Sequence, residues 1–149
     1  MVNEELLPPE VLAFIVVKGE PVPAGRPRFT RSGHAYDPQR SRDYKKLIKW
    51  SAGHQYDGEL LHDRPLKVTI EIYREVQKSL SKRERQKRLS GEHRPLVKPD
   101  TSNYVKLIED ALTGTIWEDD NIIVQLVAQK FYSEVPRIVV TVTDAEAEG

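Results

Sequence analysis

The chain has 149 residues, 38% of them apolar and 31% charged, with basic and acidic side chains in equal number and no cysteine. That length suits one domain, 1–149, with a modest core, and the lack of cysteine excludes disulfides, thiolate zinc sites and thiol nucleophiles. No run of about 18 apolar residues exists to span a membrane, and the acidic start MVNEELLPPE lacks the basic-then-apolar order of a secretory signal, so a cytoplasmic protein is expected.

Val11 to Lys18, with AFIVV at its centre, predicts a strand. Gly19 to Gly33 is rich in proline, glycine and arginine and predicts irregular chain. A helix follows, capped by Ser41 and ending near Trp50 or Gly53, with Tyr44, Leu47 and Ile48 inward. Residues 26–49 carry a net charge of +6. His54 to Pro65 is a polar connection, and Leu66 to Tyr73 alternates as a half-buried strand does. Ser81 to Leu89 opens with a capping box, Ser81 and Glu84, but has almost no apolar face. Such a helix is expected to be a mobile arm or to meet a charged partner. Residues 78–98 again sum to +6. Taken alone, each basic block suits a solvated face as readily as a binding surface.

Ser102 to Thr113 is the strongest helix, with Tyr104, Leu107, Ile108, Ala111 and Leu112 in one stripe, Ser102 as cap and Gly114 as stop. Ile122 to Phe131 and Arg137 to Val142 predict two strands joined as a hairpin. The order predicts a small α/β (α+β) domain: a mixed sheet with two or three helices on one side. The ends, about 1–10 and 145–149, are expected to fray.

Residues 100–120 sum to −5. Asp100 opens the helix, Asn103, Lys106 and Asp110 share its polar face, and Asp119 and Asp120 stand at the mouth of the next strand. Carboxylates on rigid elements suit magnesium, which takes oxygen ligands and keeps several waters. Such an ion acidifies water and polarises a phosphodiester, while a lysine such as Lys106 or Lys130 neutralises developing charge. The same acids also suit plainer roles: Asp100 at the helix dipole, Asp110 paired with Lys106, Asp119 and Asp120 in a turn.

The pattern KPD-x-x-N-x-x-K-x-x-x-D-A-L-x-G-x-x-x-x-D-D, from Lys98 to Asp120, resembles the RusA family of Holliday junction resolvases, as does GEPVPAGRPRFTRSGHAYDP from Gly19 to Pro38. The resemblance covers about Phe14 to Val142. It implies a phage- or prophage-associated homodimer that uses Mg2+ or Mn2+ to cut four-way DNA junctions symmetrically. It places metal-binding acids at Asp100, position 102 and Asp120, with Lys106 as the supporting base and Asp119, Asn103, Asp110 and Lys130 nearby. Arg26, Arg28, Arg31, Lys82, Arg83, Arg85 and Lys98 are the candidates for a DNA surface bound through phosphates.

Position 102, often aspartate in the motif, is serine here. A hydroxyl is a weak, uncharged ligand. The chain is therefore expected to recruit Asp119 or Asp110, to bind metal weakly and prefer manganese, or to be a branched-DNA-binding protein that cuts poorly. Phe29 and Tyr36 could stack on bases at a branch point or sit in the core. Trp50 and Trp117 are expected to pack, and the four histidines, His34, His54, His62 and His93, lack ligand spacing.

Overall fold

The computed structural model describes residues 10–146. Its elements in chain order are β1 (Val11–Lys18), β2 (Arg28–Phe29), β3 (Ala35–Tyr36), α1 (Gln39–Gln55), β4 (Leu66–Glu75), α2 (Lys82–Leu89), α3 (Thr101–Leu112), a short 3-10 helix (Asp120–Ile122), β5 (Ile123–Ser133) and β6 (Arg137–Asp144). The mixed α/β class matches the expectation. A four-stranded sheet runs β1-β6-β4-β5, and β2 pairs with β3 in a separate hairpin.

β6 is antiparallel to both of its neighbours, and β4 and β5 are parallel. In register, Ile15, Val140, Ile70 and Ala128 form one row across the sheet. Alternate residues of β4, from Leu66 to Ile72, are buried, as a strand covered on one face requires. α1 packs on β1 and on α3, and α3 lies against β5. α3 buries Tyr104, Val105, Leu107, Ile108, Ala111 and Leu112.

Several expectations are corrected. β5 and β6 do not form a hairpin, because β4 lies between them. Glu134–Pro136 steps across the end of β4 instead, spanning two strand spacings of about 4.8 Å each, which three residues can cover. Ser41 does not cap α1: the helix starts at Gln39 after Pro38. Its buried hydroxyl instead donates to the Pro23 carbonyl and accepts the Gly25 N–H. Leu47 is exposed, and the α1 face is completed by Ser51 and Ala52. Trp117 is fully buried as expected, but Trp50 is 63% exposed. Asp100, not Ser102, is the residue preceding the first turn of α3.

α2 has its Ser81 cap, which accepts the Glu84 N–H, and no buried residue. Its partner is the chain's own β5 rather than solvent. Arg85 pairs with Glu134, and Arg88 lies over the Tyr132 ring and pairs with Glu84. His93, hydrogen-bonded to Glu84, and Arg88 together hold the Glu84 pKa below its usual value. Of the ends expected to fray, 1–9 and 147–149 lie outside the described residues. Ala145 bonds to the Pro65 carbonyl, and Glu146 pairs with Lys67.

Ile70 is fully buried at the centre of the shared row. Ile70→Ala should cost about 2–5 kcal/mol, read from a urea denaturation curve.

Candidate functional site

The cleft arises where α3 stops covering the sheet. The rows of inward side chains end on the edge strand β5, where Leu126 and Ala128 pair beside Val68 and Ile70. They form the floor of an open cleft of about 570 Å³ whose wall is the polar side of α3. Ser102, Lys106 and Glu109 follow the helical step along that wall, and Thr101, Asp110 and Asp120 line the cleft with them. Lys106 and Asp110 also border a smaller pocket on the other side, shared with Lys45 and Asp37. Lys45 lies 3.5 Å from Asp37 and 3.9 Å from Asp110. Asp110 thus faces Lys45 rather than Lys106.

Glu109 was not among the residues singled out from the sequence. It is half-buried, and its side chain has no ion pair or hydrogen bond among the described residues. Burial, then the Asp120 and Asp110 carboxylates, raise its pKa above the usual value. The signal available in the sequence was its spacing, seven residues after Ser102 and so on the same helical face.

Asp100 sits elsewhere. The carbonyls of the three residues before it are all held by cations: Lys130 donates to Val97 and Pro99, and Arg74 to Lys98. Lys130 is thereby a brace for this loop. Asp120 is placed by a different anchor. The Trp117 indole donates to Thr113 Oγ1, which donates to the Glu109 carbonyl. Leu61 clamps the same turn through Ile116 and Glu118, and Asp119 accepts the Asn121 N–H.

Two rulers separate these anchors. Asp100 precedes the first turn of α3, and Glu109, which senses Asp120, lies nine residues on, about 13 Å along the axis at 1.5 Å per residue. Lys130 and Ile123 lie seven residues apart on β5, about 23 Å at 3.3 Å per residue. Asp100 does not line the cleft that Asp120 borders, although Thr101 and Ser102, which follow it, do. Among the described residues no three acidic or histidine side chains gather closely enough to hold a metal ion.

Of the basic candidates, Arg26, Arg28, Arg31, Lys82, Arg83 and Lys98 are exposed and make no ion pair among the described residues. Arg85 is held by Glu134. Asn103 contributes its backbone: its carbonyl accepts the Ala24 N–H, tying the segment before β2 to the first turn of α3. Phe29 and Tyr36 are exposed, not core. No helix among the described residues is long and apolar enough to cross a membrane.

The family model described as Endodeoxyribonuclease RusA matches residues 18–143. An uncharacterized Bacillus subtilis (strain 168) protein, YqaN, is 40% identical over 136 residues, covering 88% of this chain and 95% of the relative.

The raised Glu109 pKa makes a pH prediction. The native state holds its proton more tightly than the unfolded chain, so stability falls as pH rises from the unfolded value, about 4.3, through the native one. Glu109→Gln should remove that penalty and raise the metal-free melting temperature at pH 7 but not at pH 4, by differential scanning calorimetry.

Proposed function

The chain belongs to the RusA endodeoxyribonuclease family, and from that premise we propose that it is a homodimer that resolves four-way DNA junctions by paired, divalent-cation-dependent phosphodiester hydrolysis in the cytoplasm. The observation that carries this reading is the cleft along α3, lined by Lys106 and the carboxylates of Glu109, Asp110 and Asp120, in a chain whose exposed arginines and lysines include several with no ion pair among the described residues. Branched DNA bound through its phosphates suits those cations.

The donors suit a hard cation: carboxylates and a hydroxyl, with neither imidazole nor thiolate. Magnesium needs only one or two protein carboxylates when water and substrate phosphates complete its shell. Among the described residues one chain gathers no three acidic or histidine side chains, and Asp100 does not line the cleft with Asp120. A two-fold dimer resolves this. It lets Asp100 of one protomer meet Asp120 of the partner subunit, and it gives two equivalent sites for two symmetric cuts. The ion, when bound, supplies an activated water and charge neutralisation.

The remaining work falls to named side chains. Lys106, exposed and without an ion pair among the described residues, neutralises charge building on the phosphate. Arg74 and Lys130 hold the loop that aims Asp100. Glu109 supplies the carboxylate that Ser102 lacks, because it lines the same cleft as Ser102 and Asp120. This reading takes Glu109, not Asp119, as the recruited acid; Asp119 already caps the 3-10 helix.

A second reading, a branched-DNA-binding protein that cuts poorly or not at all, is favoured by Ser102 itself. The two diverge with a labelled junction and Mg2+ or Mn2+. The nuclease reading predicts paired cuts, and it predicts that Asp120→Asn lowers the rate by at least about 100-fold, the scale of losing a charge-stabilising group, with junction binding retained. It further predicts that Glu109→Gln is impaired and that Ser102→Asp restores cutting in that background. Sound binding without cleavage by the wild type, with cutting only in Ser102→Asp, would establish the second reading.

A further inference from the structure

Residues 26–36 form a finger with no core of its own. Arg28 pairs with Tyr36 and Phe29 with Ala35. The tip is held by its own hydrogen bonds: the Thr30 N–H donates to the His34 carbonyl, the Gly33 N–H to the Thr30 carbonyl, and the His34 N–H to Thr30 Oγ1. Gly33 takes φ +86°, which a side chain would resist. Every side chain from Arg26 to Tyr36 is exposed, and Phe29 is 69% so.

The root, by contrast, is fixed. Ala24 bonds to Asn103 of α3, and Gly25 bonds to buried Ser41 of α1. Gly25 is packed so closely that a Cβ there would lie 2.6 Å from Pro38 Cγ. Asp37, at the other leg, meets Lys45, which also faces Asp110 on the cleft. The finger is thus stiff in itself and registered to the helix that forms the cleft wall.

A lone exposed aromatic is ordinary on a surface. This one is not placed as ordinary rings are. It sits on an ordered hairpin among Arg26, Arg28 and Arg31, none of which pairs with an acid among the described residues. Cations that track phosphates beside an aromatic ring make a single-strand or unpaired-base platform, because every base has a π-face. Continuous duplex offers no such face; a branch point, where stacking is interrupted, does.

Resting on the nuclease-family reading above, we propose that Phe29 stacks on an exposed base at the branch point and so makes the protein prefer branched over continuous DNA. The flanking arginines bind phosphates of either form. Phe29 sets structure selectivity, and the arginines set overall affinity.

The experiment compares dissociation constants for a four-way junction and a duplex of the same sequence at fixed salt, with 2-aminopurine placed at the branch. Phe29→Ala should weaken junction binding about tenfold, the scale of one stacked base, leave duplex binding unchanged and abolish the wild-type change in 2-aminopurine fluorescence. Phe29→Trp should retain the preference and Phe29→Leu should lose it. Arg28→Ala should weaken both DNAs and lower the salt slope by about one contact. An unchanged junction-to-duplex ratio in Phe29→Ala would overturn the proposal while leaving the family reading intact. Dissociation of a dimer in Phe29→Ala, seen by sedimentation, would overturn it too, assigning the ring to contact between copies. Failure of the wild type to bind any junction at low salt would remove both.

Discussion

The parallel pairing of β4 with β5 governs what the site can do. A parallel pair needs a long crossover, and here that crossover carries α2, the cation-held loop at 97–99 and α3. It returns the chain to the start of β5, so Asp120 arrives at one end of the edge strand while Lys130, near the other end, braces the loop before Asp100. The two acids are thus held by different anchors. An antiparallel hairpin would have brought its two strand ends together; this fold keeps them apart and leaves a cleft between.

The edge position of β5 supplies the rest. Leu126 and Ala128 continue core rows, yet they lie past the cover of α3 and become a cleft floor. Glu109 and Asp120 line that cleft, where burial and then the neighbouring carboxylates raise the Glu109 pKa, an arrangement that costs stability and favours a positively charged occupant. On the far side of α3, Lys45 sits near both Asp110 and Asp37, so one lysine links the cleft wall to the arginine-bearing hairpin. The hairpin root and the cleft therefore share a helix. A substitution that loosens Ser41 or Gly25 acts on the hairpin's aim without touching the carboxylates.

Much of this was legible in the residues. The alternation of Leu66 to Ile72, the stripe of α3 and the Gly114 stop follow from period and local propensity, and the structure follows them. The motif from Lys98 to Asp120 gave the family. What could not be read was anything set by strand order: a three-residue link looked like a hairpin turn because sequence says nothing of a strand inserted between. Ser41 and Ser102 both looked like caps, since capping propensity is local, while the partners that claimed Ser41 lie 16 and 18 residues away. Glu109 escaped because its importance lies in sharing a cleft with Asp120, which comes from beyond the helix, and α2 looked unanchored because its anchors, Glu134 and Tyr132, come from a distant part of the chain.

In the proposed dimer, Asp100 of one chain acts with Asp120 of the other. Mixing subunits tests it. Asp100→Asn and Asp120→Asn, each inactive alone, are co-refolded with different tags and the mixed dimer is isolated. A shared site predicts that this dimer regains one intact centre: it nicks one strand of a junction, and an unseparated equal mixture shows about a quarter of the wild-type sites. A mixed dimer as inactive as its parents would contradict the account.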